Sequence, residues 1–246
     1  MEFNNLFKWY CKICLIVFIL IIINSVVGDI FFRIKYSFPK VSSRTNDLIS
    51  TEHNPIQKNL KNKDIIKAHG EKKVYALCIQ AEYSLSGLVV TKNTNFWFRD
   101  IMRSRFDDIC LMDLGIVWGQ LAADKDKLYK HWKFKSFKTL GQGRMMTWKA
   151  KRPYNDMPWT LDYVNKHAAH THIIPANANV MGALLRIKKN NVVKLDGYLV
   201  DIYTDKGEIL TRTSLSRTDT DRISRGYGAC EVMYVEKVQI GNSIYK

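Results

Sequence analysis

The chain has 246 residues, 46% of them hydrophobic and 12% aromatic, and a formal net charge of +15. That composition excludes wholesale disorder, and the length allows one ordinary domain with a core of its own. Residues 1–70 carry a net +5 and residues 71–246 a net +10, so most of the excess charge lies beyond the N-terminal part and favours anionic partners.

The first element is apolar. Ile13 to Val27 reads ICLIVFILIIINSVV, behind Lys8 and Lys12. Carried on to Phe32, it reaches the roughly 20 residues that a membrane span needs. Trp9 and Tyr10 on one side, and Phe31 and Phe32 on the other, suit interfacial aromatic belts. Residues 1–12 therefore read as a short flank and 13–32 as a transmembrane signal-anchor; the absence of an A-x-A-like site favours an uncleaved anchor, the alternative being a signal peptide cut after Gly28. Arg33, Lys35, Lys40 and Arg44 after the segment outnumber the lysines before it, which opposes export of the domain. The short flank ahead of a single apolar run favours export. The expectation is a single-pass protein with its soluble domain on the periplasmic side.

Residues 33–72 are polar and lack apolar periodicity, which predicts a partly disordered tether to a soluble domain at 73–246. KVYALCIQAEY, from Lys73, is apolar on both faces, as a central strand is. ICLMDLGIVW (109–118) alternates Cys110, Met112, Leu114, Ile116 and Trp118 on one face, predicting a half-buried strand. Asp124 is a candidate N-cap for a short helix carrying Leu128 and Trp132. A second helix is expected in MPWTLDYVNKHA, behind Pro158, and the best one in NANVMGALLRIKKNN, where Val180, Leu184 and Ile187 share a face. A strand, a turn at Asp205-Lys206-Gly207 and a second strand come next, and ACEVMYVEKVQI closes the series. The fold class expected is α+β and mainly β: a small decorated barrel, or a sheet with a few short helices.

The cysteines are Cys11, Cys14, Cys78, Cys110 and Cys230, with neither the density of a disulfide scaffold nor the pairing of a zinc ribbon. In an exported domain, Cys78–Cys110 is the bridge to expect. His167, His170 and His172 form H-x-x-H-x-H. On a helix the first two would share a face toward a metal, but no Asp, Glu or Cys completes the set at a familiar spacing, so neither a metal nor any other cofactor is expected. Cys230 comes after the glycine-rich SRGYGA, with His170 and His172 some 60 residues upstream. A thiolate nucleophile needs a base within hydrogen-bond reach, and these three are the candidate catalytic residues of a Cys/His enzyme. The bland alternative makes Cys230 an ordinary core residue on an alternating strand. SLSRTDTDRISRGYG could hold an anion through Arg217, Arg222 and Arg225, or be a solvated loop.

Residues 127–152 hold nine Lys or Arg and no Asp or Glu, interleaved with aromatics. Lys130, Trp132, Lys133, Lys135, Lys138, Arg144, Trp148 and Lys149, joined by Arg217, are the candidate binding face. Such a face suits anionic lipid, an envelope polymer or single-stranded nucleic acid. The period-2 run WKFKSFK also fits aromatics turned to a core and lysines turned to water.

HIIPAN (172–177), NVVKLDGYLVDI (191–202), SLSRTDT (214–220) and ACEVMYVEKVQI (229–240), in that order, resemble a group of bacterial membrane-anchored proteins whose activity is not known. The resemblance covers the C-terminal third, and Asp221 stands where that group has glycine. It implies a place at a membrane and no chemistry. The order of a histidine, then Ser-x-Gly, then Cys230 is also similar to the cell-wall L,D-transpeptidases. Their histidine-glycine pair is absent, and Glu231 replaces the arginine after the cysteine.

The reading placed first is a membrane-anchored, non-enzymatic interaction module of the cell envelope, partnered by the membrane, an anionic polymer or another protein. The second is an envelope Cys/His enzyme, transpeptidase- or hydrolase-like, using Cys230. The third is a basic nucleic-acid-binding protein.

Overall fold

A computed structural model describes residues 2–70, 73–94, 104–139, 143–216 and 230–246. In chain order the elements are α1 (Glu2–Lys35), β1 (Ser43–Arg44), β2 (Ile56–Asn59), β3 (Ile65–His69), β4 (Val74–Thr94), α2 (Arg105–Ile109), β5 (Met112–Val117), α3 (Gln120–Ala123), α4 (Lys125–His131), β6 (Trp132–Thr139), β7 (Gly143–Ala150), α5 (Leu161–Lys166), β8 (Ala168–Pro175), α6 (Ala178–Arg186), β9 (Val192–Tyr203), β10 (Ile209–Thr211), β11 (Glu231–Ile240) and β12 (Ser243–Tyr245). The fold is α+β and mainly sheet, with one long apolar N-terminal helix.

That helix, α1, is long and apolar enough to cross a membrane, and none of its apolar stretch is buried against the described protein. Leu15, Phe18, Leu20 and Ile23 all face outward. At about 1.5 Å per residue, its 34 residues exceed a hydrocarbon core of roughly 30 Å.

Residues 36–69 differ from the expected tether, because they are laid against the domain. Asn179 on α6 accepts from Lys40 N at 2.6 Å and donates to the carbonyls of Lys40 and Lys246 at 2.9 and 2.8 Å. Gly182, one turn on, lets the chain come close: a Cβ there would stand 2.6 Å from Tyr36 O and 3.0 Å from Pro39. Further along, Trp118 Nε1 donates to Asn54 and Gly119 N to Thr51 O. β1 pairs with β12, while β2 and β3 pair with β4. Leu60, Ile66 and Ala68 pack on the core, and these sparse apolar residues hold a segment whose overall composition is polar.

β4 is 21 residues long and carries register shifts at Ile79/Ala81 and Val89/Thr91. Bulges bend and twist a strand. One half of β4 pairs with β9 and the other with β5. β5 pairs with β8, β8 runs parallel to β11, and β11 pairs back with β9. The hydrogen-bonded order of these five strands therefore returns to its start.

One face of the five strands supplies a single apolar cluster with α6, including Leu85, Leu114, Ile173, Leu184, Leu195 and Met233. Two further clusters lie on the other face. The first gathers Val117, Leu128, Trp132, Phe134, Met146 and Val164 beneath the β6–β7 hairpin and α3 to α5. The second gathers Tyr75, Ile109, Cys110, Ile174 and Val232 beneath β3 and α2. No disulfide joins Cys78 and Cys110, the expected bridge, and burial pushes the Cys110 thiol well above the usual range.

The hairpin seats on β5 because position 115 is glycine. A Cβ there would stand 2.2 Å from both Met146 Sδ and Thr91 Oγ1. Gly115→Ala is therefore expected to lower the urea-unfolding free energy of the detergent-solubilised chain by about 1–3 kcal/mol. Adding Met146→Ala should recover part of that loss in the double variant; purely additive losses would show that the hairpin does not rest on Gly115.

Candidate functional site

Between the two outer clusters runs a polar strip. β8 owes its extended state to β-branched residues and to neighbours on both sides, and an extended strand sends every second side chain to the same face. His170 and His172 thus point the same way. Asp113 on β5 lies directly across from His172, and Gly115 across from His170. On the other side of β8, Val232 lies across from His172 and Glu231 across from Thr171, so Cys230, the residue before β11, falls beside His170.

The contacts follow from this register. His170 Nδ1 is 3.3 Å from Cys230 Sγ. His172 Nδ1 is 2.7 Å from Asp113 Oδ1. The imidazoles of His170 and His172 meet edge to face, with centroids 4.8 Å apart. Cys230 Sγ and one nitrogen from each histidine lie within 4.8 Å of one another, a donor set that could take a soft or borderline divalent metal.

A second layer fixes the first. Arg144, on the inward face of β7, is only 5% exposed. Its Nη2 is 3.1 Å from Asp113 Oδ1, its Nη1 is 3.4 Å from Asp107 Oδ1, and Nη1 donates to Cys110 O at 2.7 Å. The guanidinium lies 4.7 Å over the Phe106 ring, whose edge meets His172 at 4.8 Å. Asp107 also closes a capping box at the start of α2, accepting from the Ser104 backbone and hydroxyl. Burial would raise the Asp113 pKa, but Arg144 and His172 outweigh it and hold the carboxyl below its ordinary range. Burial pulls His172 down, and Asp113 only partly offsets this. His172 is therefore neutral at neutral pH, its Nδ1–H is given to the ionised Asp113, and Nε2 keeps its lone pair.

The structure brings together Cys230, His170 and His172, the three catalytic candidates of the sequence. It does not bring in His167, which ends α5 rather than sharing a helix with His170. Its ring stacks on Tyr163 at 3.9 Å, and its Nδ1 is 2.9 Å from Tyr163 O. Asp113, Asp107 and Phe106 are the site residues that sequence reasoning misses. Asp113 leaves a signal there, as the one charge inside the doubly apolar run LMDLGIV.

The expected basic face comes apart on the period of 2. Lys130, Lys133, Lys135 and Lys149 are exposed. Trp132 is fully buried, Phe134 is in the core beside it, and the half-buried Trp148 donates to Asn165 at 2.9 Å. Arg144 faces inward to the carboxylates. Arg217 and the Lys138 side chain lie outside the described residues, as do Arg222 and Arg225. The described aromatics thus hold the hairpin down, leaving Phe137 as the ring turned outward beside the lysines.

Comparison with protein-family models, with curated proteins and with solved structures finds no match to the chain.

Removing Arg144 leaves two buried carboxylates without their cation. Arg144→Met is expected to cost about 3–5 kcal/mol in urea unfolding. Asp113→Asn in the same background should return part of that, by removing one unpaired charge; no recovery would show that packing of the Arg144 stem, not its charge, holds the site.

Proposed function

We propose that the chain is a single-pass, membrane-anchored thiol enzyme of the acyl-transfer class, a hydrolase or transpeptidase, with Cys230 as nucleophile and His170 as its base. The observation that carries this reading is the 3.3 Å approach of His170 Nδ1, on β8, to Sγ of Cys230, the residue that leads into the parallel strand β11. A thiol is a weak nucleophile until a base in hydrogen-bond reach takes its proton. His170 takes that proton, the thiolate adds to an acyl carbon, and the imidazolium returns the proton to the departing amine or alcohol. Water or an amine then resolves the thioester, and the thiol is restored. Cys230 is half-buried and belongs to none of the three apolar clusters, which supports a working rather than a filling role. This reading displaces the interaction module because Trp132 and Arg144, two of that module's intended contacts, are turned inward.

We also infer that the ring of β4, β5, β8, β11 and β9 is a closed five-stranded barrel. Barrels of that strand number in the OB class bind ligands across their second and third strands. Here those are β5 and β8, the strands that carry Asp113, His170 and His172. The analogy supports the place of the site and not its chemistry. The anchor reading rests on α1, and export is kept as the orientation. A C-terminal alkaline phosphatase fusion is expected to be active, and an inactive one would reverse the topology.

A second reading has an observation of its own. A metal-bound histidine usually gives its other ring N–H to a carboxylate, as His172 does to Asp113. Cys230, His170 and His172 would then hold a zinc-like ion.

The test is the alkylation rate of Cys230 against pH, in a chain with Cys11, Cys14 and Cys78 changed to Ser and Cys110 to Ala. A free thiol titrates near 8.5, and activated ones between about 3.5 and 7.5. Rapid labelling with an inflection below 7, lost in His170→Ala but kept in His172→Ala, is the expected result. Protection by added zinc that needs both histidines would move the metal reading ahead. Labelling only after unfolding would sink both.

A further inference from the structure

A cleft of about 850 Å³ opens where the end of α1 meets the domain. Its lining includes Arg33 from the last turn of α1, Lys92 from β4, Lys135 and Phe137 from β6, and Lys188 and Lys189 after α6. None of the described residues that line it is acidic. Four lysines from three separate parts of the chain gather there beside Arg33, and this local excess of positive charge favours an anion.

We infer that this cleft binds the phosphate of an anionic lipid headgroup, drawn from the leaflet that α1 enters. The inference rests on the anchor reading and not on the thiol chemistry. Position argues for a lipid over a soluble anion. Counting roughly 20 residues of span from Ile13 ends the hydrocarbon stretch at Phe32, so Arg33 falls at headgroup level. The domain does not swing freely below it, because Ser37 O accepts from Arg186 and Lys40 is held on both sides by Asn179. The cleft is thus carried to the membrane surface by the covalent chain.

The lining divides the work. Lys92 Nζ donates to the carbonyls of Leu184, Leu185 and Ile187 at 3.0, 2.9 and 2.7 Å, so it is fixed and supplies charge rather than fresh donors. Burial, then the Arg33 charge, pulls its pKa down to about 8, and a phosphate nearby would relieve the second of these. Lys135 and Lys188 are exposed and free to turn their ammonium groups inward, while Lys189 lies 4.5 Å over the Tyr129 ring. Phe137, 37% exposed, offers an apolar rim for the glycerol end of a lipid. Each basic residue at an anionic surface contributes about 1 kcal/mol.

The full chain in maltoside micelles, titrated with dioctanoyl phosphatidylglycerol, is expected to gain thermal stability saturably and to retain one lipid in native mass spectrometry. Lys135→Glu with Lys188→Glu should weaken that binding at least about tenfold. Lys133→Glu with Lys149→Glu makes the same charge change on exposed hairpin positions outside the cleft and should leave binding within about twofold. An equal response to dioctanoyl phosphatidylcholine or to inorganic phosphate, or equal losses in the two pairs, would overturn the inference. Alkaline extraction of membranes separates the two readings. A chain that washes out removes the anchor and the lipid site together, whereas a chain that stays but ignores phosphatidylglycerol removes the lipid site alone.

Discussion

A guanidinium held between two buried carboxylates joins three elements that no backbone ladder connects. Arg144 comes from the β6–β7 hairpin, Asp113 from β5 and Asp107 from α2. Burying such charges is costly, and a cluster of this kind survives only where geometry and further hydrogen bonds offset the loss of water. Here the Cys110 carbonyl, the capping box of α2 and the Phe106 face supply them. The cluster also decides the chemistry beside it. An ionised Asp113 dictates which nitrogen of His172 carries the proton, and the His172 ring in turn packs edge to face with His170.

The thiol reaches the site by a different route. Cys230 is 60 residues from His170 in the chain and meets it only through the parallel pairing of β8 with β11. Parallel pairing has no hairpin to help it and needs a long connection. That connection includes α6, whose cap at Asn177 and apolar face bind it to the shared core. The site is therefore complete only after the last long strand has joined the sheet, and it depends on the whole fold rather than on one motif.

Where local rules act alone, the sequence is legible. Asp124 caps α4, Asn177 caps α6, and Gly207 takes the positive φ of 77° at the expected hairpin turn. Legibility fails where neighbours decide. The residues around His170 fit a helix by spacing, and the sheet on both sides makes them a strand. The stretch after α1 reads as a tether by composition, yet a handful of apolar residues and Asn179 pin it. Arg144 is hidden among lysines, although it stands in phase with Met146 and Trp148, a spacing that puts it on the hairpin's inner face. Asp113 escapes notice because its neighbours on the other face form the cleaner pattern.

The hairpin and β4 serve both ends of the molecule through the same alternation. Thr91 turns to Met146 beneath the hairpin, and Lys92, the next residue, turns to the end of α6 beside the cleft. Arg144 lies on the hairpin's inner face, and Lys135 lies on its outer one. Thr91 pairs with Gly115, and Gly115 with His170, so two steps across the sheet separate the cationic cleft from the histidine at Cys230. Neighbouring strands lie about 4.8 Å apart, which puts these two steps near 10 Å. On the proposed anchor reading, a domain fixed by α1 and the 36–40 segment would present its thiol at a set height above the lipid surface. On the proposed acyl-transfer reading, a thiol so placed would meet acyl groups held at or near that surface at a raised local concentration, because confinement to two dimensions raises the effective concentration.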